Sequence, residues 1–184
     1  MSGAEVTIRV ARLEDARAIA ELHVAVWREA YRDLAPPEVM VALDVSKRLP
    51  RWVEMIARAE RSVLVGERDG RIVGIGTAGA ATVPELGGHG EILYLYVDST
   101  YARAGIGRAL MRHLAQALQA QGYDRVALGV VEGNQSAIDF YLKLGGRLAG
   151  SYIDPGPLWR SRNQIIIWDD VQVLLSNGNI RRSE

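Results

Sequence analysis

Glu91-Ile-Leu-Tyr-Leu-Tyr-Val97 is β-branched and aromatic, and shortly after it Ile106, Leu110, Leu114, Ala117 and Leu118 fall on one helical face. Gly122 closes that helix as a C-terminal cap, and Val126 to Val131 is strand-like again. A strand, an amphipathic helix and a second strand in so short a span are joined by a crossover, which lays the two strands parallel in one sheet. This unit constrains the fold more than any other stretch, because the remaining elements must extend its sheet or cover it.

Val6 to Val10 alternates as a strand, and an apolar stripe from Leu13 to about Tyr31 reads as a helix closed by Pro36-Pro37. A second helical region, roughly 38 to 60, is expected to break near Pro50. Ser62 to Arg68 and Arg71 to Ala78 form a hairpin about Asp69-Gly70. Beyond the crossover, 134 to 144 is helical and ends at Gly145-Gly146, with final strands near 147 to 153 and 164 to 171. The order predicts an α/β (α+β) fold: a central mixed, mostly antiparallel sheet of about seven strands flanked by about four helices. Residues 1–184 are expected to form one domain, with 172–184 a flexible tail ending in SNGNIRRSE.

Two glycine-rich stretches compete as phosphate sites. Gly74-Ile-Gly-Thr-Ala-Gly79 matches the dinucleotide spelling, but it lies in the second arm of a hairpin and opens no helix, so close packing is the better reading. Arg103-Ala-Gly-Ile-Gly-Arg-Ala109 follows a strand and opens a helix. Its first-turn amides, the positive end of the helix dipole, Arg103 and Arg108 converge on one point, and Gly105 and Gly107 leave the backbone bare. A helix start that merely uses glycine for a tight turn is the alternative.

At these residues the sequence resembles the GNAT-superfamily acetyltransferases, whose signature is Q/R-x-x-G-x-G/A after a strand reading E-I-x-x-L-Y-V. Ala102 stands where the family has Gln or Arg, with Arg103 one place later. A second block, Asn134-Gln-Ser-Ala137-Ile-Asp-Phe140-Tyr141-Leu-Lys-Leu-Gly145-Gly146, is similar to N-x-x-A-x-x-x-Y-x-x-x-G-F, with Gly146 in place of Phe. The resemblance rests on residues 91 to 146; the N-terminal half agrees in topology only. It implies the GNAT fold, acetyl-CoA as co-substrate, and direct transfer of acetyl to an amine. Main-chain groups of Leu95, Tyr96 and Val97 would align with pantetheine, the Val97 amide would face the oxyanion, and the turn Arg103, Ala104, Gly105, Ile106, Gly107, Arg108 and Ala109 would hold the diphosphate, with Asn134 and Tyr141 completing the cofactor site.

Composition agrees with direct transfer. The chain has no cysteine, which removes thiol nucleophiles and thiolate metal sites, and it has no G-x-S-x-G. An alkyl ammonium of pKa about 10 leaves roughly one molecule in a thousand as free amine at neutral pH, so a base is useful. Glu91 matches a position that serves the family as base, and strand alternation places it beside Leu93, Leu95 and Val97, in apolar surroundings that strengthen a carboxyl as a base. A glutamate merely solvated or paired with an arginine, with water relaying the proton, is the alternative. Tyr141 matches the family's general acid towards the CoA sulfur and would donate a hydrogen bond where negative charge develops; otherwise it is a core aromatic.

His23, His89 and His113 lack ligand spacing and neither Lys47 nor Lys143 lies in a P-loop, so no metal or nucleoside triphosphate is expected. Zero net charge argues against nucleic acid. No apolar run approaches membrane length and no signal-peptide core opens the chain, so a cytoplasmic protein that does not enter membranes is expected. Homodimerisation stays open. The acceptor is expected to be the primary amine of a small molecule, near Trp27, Tyr31 and Tyr152 to Arg160, unless these aromatics are core and rim, the better reading for Trp27. Peptide or protein acetylation and a non-catalytic acyl-CoA sensor are the alternatives.

Overall fold

The crossover forms as expected and is the pivot of the molecule. In the computed structural model, which describes residues 5–176, β4 (Gly90–Val97) and β5 (Val126–Val131) pair in parallel through Gly90–Val126 and Glu91–Ala127 alone. Beyond those two pairs no residue of β4 faces a residue of β5 in the sheet, so the strands diverge into a cleft. The connecting helix α4 (Ile106–Ala120) lies on one sheet face.

Five further strands complete the sheet: β1 (Thr7–Val10), β2 (Ser62–Arg68), β3 (Arg71–Ala80), β6 (Arg147–Asp154) and β7 (Ser161–Trp168). Their order is β1-β2-β3-β4-β5-β7-β6, antiparallel at every neighbour except β4 and β5. The expected mixed, mostly antiparallel seven-stranded sheet is therefore present.

Helices α1 (Ala16–Ala30), α2 (Pro37–Ala42) and α3 (Val45–Arg58) follow β1, and α1 and α3 bury Ile19, Ala20 and Trp52 on Val65 and Ile75 of the front face. On the back face α4, α5 (Gln135–Lys143) and α6 (Gln172–Ser176) enclose the larger core, around Leu110, Leu114, Tyr141 and Trp168. Among the described residues no helix is long and apolar enough to cross a membrane.

Three expected element bounds need correction. The break in the second helical region falls at Leu43-Asp44, where Leu43 is fully buried and the Asp44 carboxylate accepts the Ser46 amide at 2.6 Å; Pro50 sits inside α3. Residues 172–176, expected within the tail, form α6 because Leu174 buries itself against the back core; residues 177–184, with most of SNGNIRRSE, lie outside the described residues. The last strand begins at Ser161, three residues earlier than read.

The glycine repeat of β3 is a packing device. A Cβ at Gly74 would stand 2.9 Å from Ile106, and one at Gly76 would stand 2.6 Å from Leu114, so these bare positions let α4 lie close on the sheet. Gly146 has a similar cause: a side chain there would meet Ile166 at 2.6 Å and Trp168 at 2.8 Å. Trp168 fills that space and donates its indole N–H to the Leu144 carbonyl at 3.1 Å.

A β-bulge at Leu93 decides which residues face the cleft from the front. Thr77 pairs with Tyr94 but Ala78 pairs with Ile92, so one extra residue of β4 lies between them. Alternation is reset there. Glu91 therefore shares the front face with Tyr94 and Tyr96, whereas Leu95 and Val97 pack towards α4 on the back. The expected grouping of Glu91 with Leu95 and Val97 fails for this reason.

Candidate active site

Where β4 and β5 part, one strand edge is left open inside the molecule. The Asp98 amide donates to the Val73 carbonyl at 2.9 Å, so the amide of Val97, one residue earlier, faces the opposite side, towards the cleft. The Leu95 amide has the same parity. An extended chain entering the cleft would meet these groups as a neighbouring strand does.

At the end of that edge lies the glycine turn. Gly105 precedes α4 with φ of 80°, Arg103 is also left-handed at 64°, and no side chain caps the helix. The amides of Ala104 and Ala109 are engaged, donating to Tyr101 and Gly105 carbonyls. Gly105, Ile106 and Gly107 supply first-turn N–H groups that the helix cannot satisfy itself. Ile106 is buried under β3, while Arg103 and Arg108 are exposed beside the turn. A Cβ at Gly107 would stand 3.1 Å from Phe140, so the bare backbone is a cradle that a side chain would fill. The turn thus presents bare main-chain donors at an uncapped helix start.

Tyr141 and Asn134 approach from α5. Tyr141 is buried, 8% exposed, with its ring 6.2 Å from Trp168 in a T-shaped contact. Burial, and secondarily the nearby Tyr31 phenol, push its hydroxyl well above the ordinary value, so it stays protonated at working pH. Asn134 caps α5, its Oδ1 accepting the Ala137 amide at 3.3 Å, and its side chain lies near the Tyr31 phenol.

Glu91 is 2% exposed and lines a front cavity of about 170 Å³ that opens beside the cleft. Its surroundings are polar, contrary to expectation. Oε2 accepts the Thr82 amide at 2.9 Å and the Arg61 guanidinium at 3.3 Å, and Oε1 accepts the Thr82 hydroxyl at 2.9 Å. Arg61 also donates to the carbonyls of Ala80 at 2.6 Å and Glu91 at 3.1 Å; burial lowers its pKa and the Glu91 carboxylate counters that shift. Oε1 keeps one lone pair free of these bonds.

The rest of the cavity wall was only partly legible. Trp27, Tyr31 and Trp159 meet pairwise at ring distances of 4.8, 6.1 and 6.2 Å. Tyr152 lies across Gly129, where any Cβ would collide with its hydroxyl, and Asn163 donates to that hydroxyl at 3.3 Å. Asp154, also in the wall, accepts the Gly156 amide at 2.9 Å.

A family model, the acetyltransferase (GNAT) family, matches residues 16–146. The chain belongs to the GNAT family. It is similar to the uncharacterised N-acetyltransferase YuaI of Bacillus subtilis (strain 168), at 31% identity over 137 residues, covering 74% of this chain and 77% of that protein. Its fold is like that of the PaiA N-acetyltransferase of Thermoplasma acidophilum, solved in complex with coenzyme A: TM-score 0.70, 19% identity, 89% of this chain and 98% of that one. YncA of Salmonella typhimurium, solved with acetyl-CoA as its cofactor, superposes with a TM-score of 0.67 at 20% identity, covering 90% of this chain and 94% of that one.

As a GNAT acetyltransferase the chain uses acetyl-CoA as co-substrate, and the cleft, the open β4 edge and the glycine turn are the parts of this fold that suit it. The histidine that sequence reading passed over lies in the GNAT front cavity. His23 is 2% exposed, between Trp52, whose indole N–H donates to its Nδ1 at 3.2 Å, and Tyr96, 4.8 Å away ring to ring. Burial first, and then Arg48, lower its pKa to about 3. An indole only donates, so Nδ1 is the unprotonated nitrogen and the ring proton sits on Nε2. One histidine on an apolar helical stripe carries no sequence signal that separates this position from an ordinary core residue.

Proposed function

We propose that this acetyltransferase moves the acetyl group of acetyl-CoA directly to the primary amine of a small molecule. The observation that carries this reading is the juxtaposition of the cleft with the front cavity. The open amides of Leu95 and Val97 face the cleft, while a small, aromatic-walled chamber containing Glu91 adjoins it. Its volume of about 170 Å³ lies below the roughly 300–1,000 Å³ of sites for drug-sized ligands, which favours a compact amine over a peptide chain.

In this reading the amine nitrogen attacks the thioester carbonyl carbon, and the carbon–sulfur bond breaks. Glu91 takes the amine's proton at Oε1, directly or through water, and Arg61 and Thr82 hold the carboxylate in place. The Val97 amide donates to the carbonyl oxygen as it gains charge. Tyr141 protonates the departing thiolate from within the back core. Leu95, Tyr96 and Val97 align the pantetheine arm, Gly105, Ile106 and Gly107 bind the diphosphate with Arg103 and Arg108 nearby, and Asn134 caps α5 at the cofactor side.

The test is thiol release from acetyl-CoA across amino acids, polyamines, aminoglycosides and short peptides. Turnover with a small amine and little with peptides is expected. Peptides outcompeting every free amine would transfer the reading to peptide acetylation, and CoA uptake without turnover on any amine would leave a binding module.

A further inference from the structure

One cation in the front cavity has nothing to hold. Arg48, on α3, is half-buried in the cavity wall, and its guanidinium makes no hydrogen bond or ion pair among the described residues. Most of the acids around it are engaged elsewhere, and Glu60, on the rim of the adjoining hollow, is exposed. Glu91 is taken by Arg61 and Thr82, Asp154 accepts the Gly156 amide, and Glu54 pairs with Arg58 at 2.7 Å. What Arg48 meets is aromatic: the cavity wall it shares contains Tyr94, Tyr96, Trp27, Tyr31 and Trp159.

His23 stands on the same side and adds a donor. Because Trp52 occupies Nδ1, the proton lies on Nε2, which has no acceptor among the described residues. His23 also stays neutral down to about pH 3, so it offers an N–H and no second charge. A guanidinium and an imidazole N–H, both withdrawn from bulk water and both unmatched, specify an anion with acceptor oxygens.

Resting on the acyl-transfer reading above, we propose that the acceptor is an amino-carboxylate whose carboxylate seats on Arg48 and His23 Nε2 while its amine points to the β4–β5 cleft. Tyr96 belongs to the open half of β4 and touches His23, so the anion subsite and the transfer point lie about one side chain apart. That separation fits a free amino acid with an apolar or aromatic side chain. A polyamine would bring more positive charge towards Arg48, and a peptide amine has no carboxylate at that distance.

The proposal is tested by calorimetric titration of L-phenylalanine, L-leucine and L-methionine, each against its own carboxamide, into the full chain with CoA present. At least one acid is expected to bind ten-fold or more tightly than its amide, the ratio falling to near one in Arg48→Gln and to an intermediate value in Arg48→Lys. Equal binding of acids and amides overturns the proposal, as does a preference that survives in Arg48→Gln, or failure of every acid to bind while CoA does. If Arg48→Gln does not fold, the wild-type ratio decides alone. Acid preference in a chain that takes up no CoA would retain the carboxylate subsite and sink the acyl-transfer reading instead.

Discussion

Burial keeps the Tyr141 phenol protonated at any working pH, whether the residue acts on a leaving group or merely packs, so only removal of the oxygen separates the two roles. Tyr141→Phe keeps the ring against Trp168 and removes only the oxygen. In steady-state kinetics kcat is expected to fall about 10²-fold or more, with KM for acetyl-CoA moving less than about three-fold. Unchanged kcat would return the tyrosine to the core. His23 gives the second residue-scale prediction. Its folded pKa of about 3 lies below the unfolded value of about 6.5, so between those limits the unfolded chain binds a proton that the native chain refuses. Stability therefore declines as pH falls through that window, by at most about 1.4 kcal/mol per unit, and is untouched by this group above it. His23→Gln, which keeps an acceptor for Trp52, should flatten the loss when urea unfolding is followed at pH 7, 5.5 and 4.5. Both effects escape sequence reading, because burial and partners, unlike residue type, are set by elements far apart in the chain.

Single elements were legible where local chemistry dictates them. The strand, turn and helix from Glu91 to Ala120 announce themselves through pattern, cap and glycine, and the β3 glycines betray their packing role by lacking a helix to open. Pro50 misled because it sits within α3, while Asp44 supplies the start by capping it. Glu91's face was misread because a bulge is set by pairing with β3, which no local pattern encodes. Two substitutions separate the functions of the glycines. Gly76→Ala drives a methyl into Leu114 and should cost about 1–3 kcal/mol in urea unfolding, while leaving CoA affinity intact if the remaining fold closes. Gly107→Val covers the turn's amides and presses on Phe140; calorimetry should show CoA binding weakened at least about ten-fold, since each lost main-chain contact to an anion is worth roughly 1.5–3 kcal/mol.

At the scale of the molecule, the sheet is two leaves joined by two residue pairs and the cores above and below. A ligand occupying the cleft binds both leaves in the folded state only, so CoA at about 100 times its Kd should add about 2.7 kcal/mol, or roughly 5–10 °C in melting temperature. Hydrogen exchange should slow most at Leu95 and Val97, whose amides gain a partner. Sequence reading supplied the leaves; the front chamber stayed hidden because α1, α3, β6 and the segment before β7 meet there only after folding. The bulge has the widest reach of any single residue in that chamber. Were Leu93 paired in step with β3 instead of bulging, even pleating would run through β4 and every side chain after it would trade sides: the vestibule of the front cavity would be floored by Leu95 and Val97, and two phenols would be forced beneath α4. One surplus residue thus determines whether the vestibule is wet or greasy.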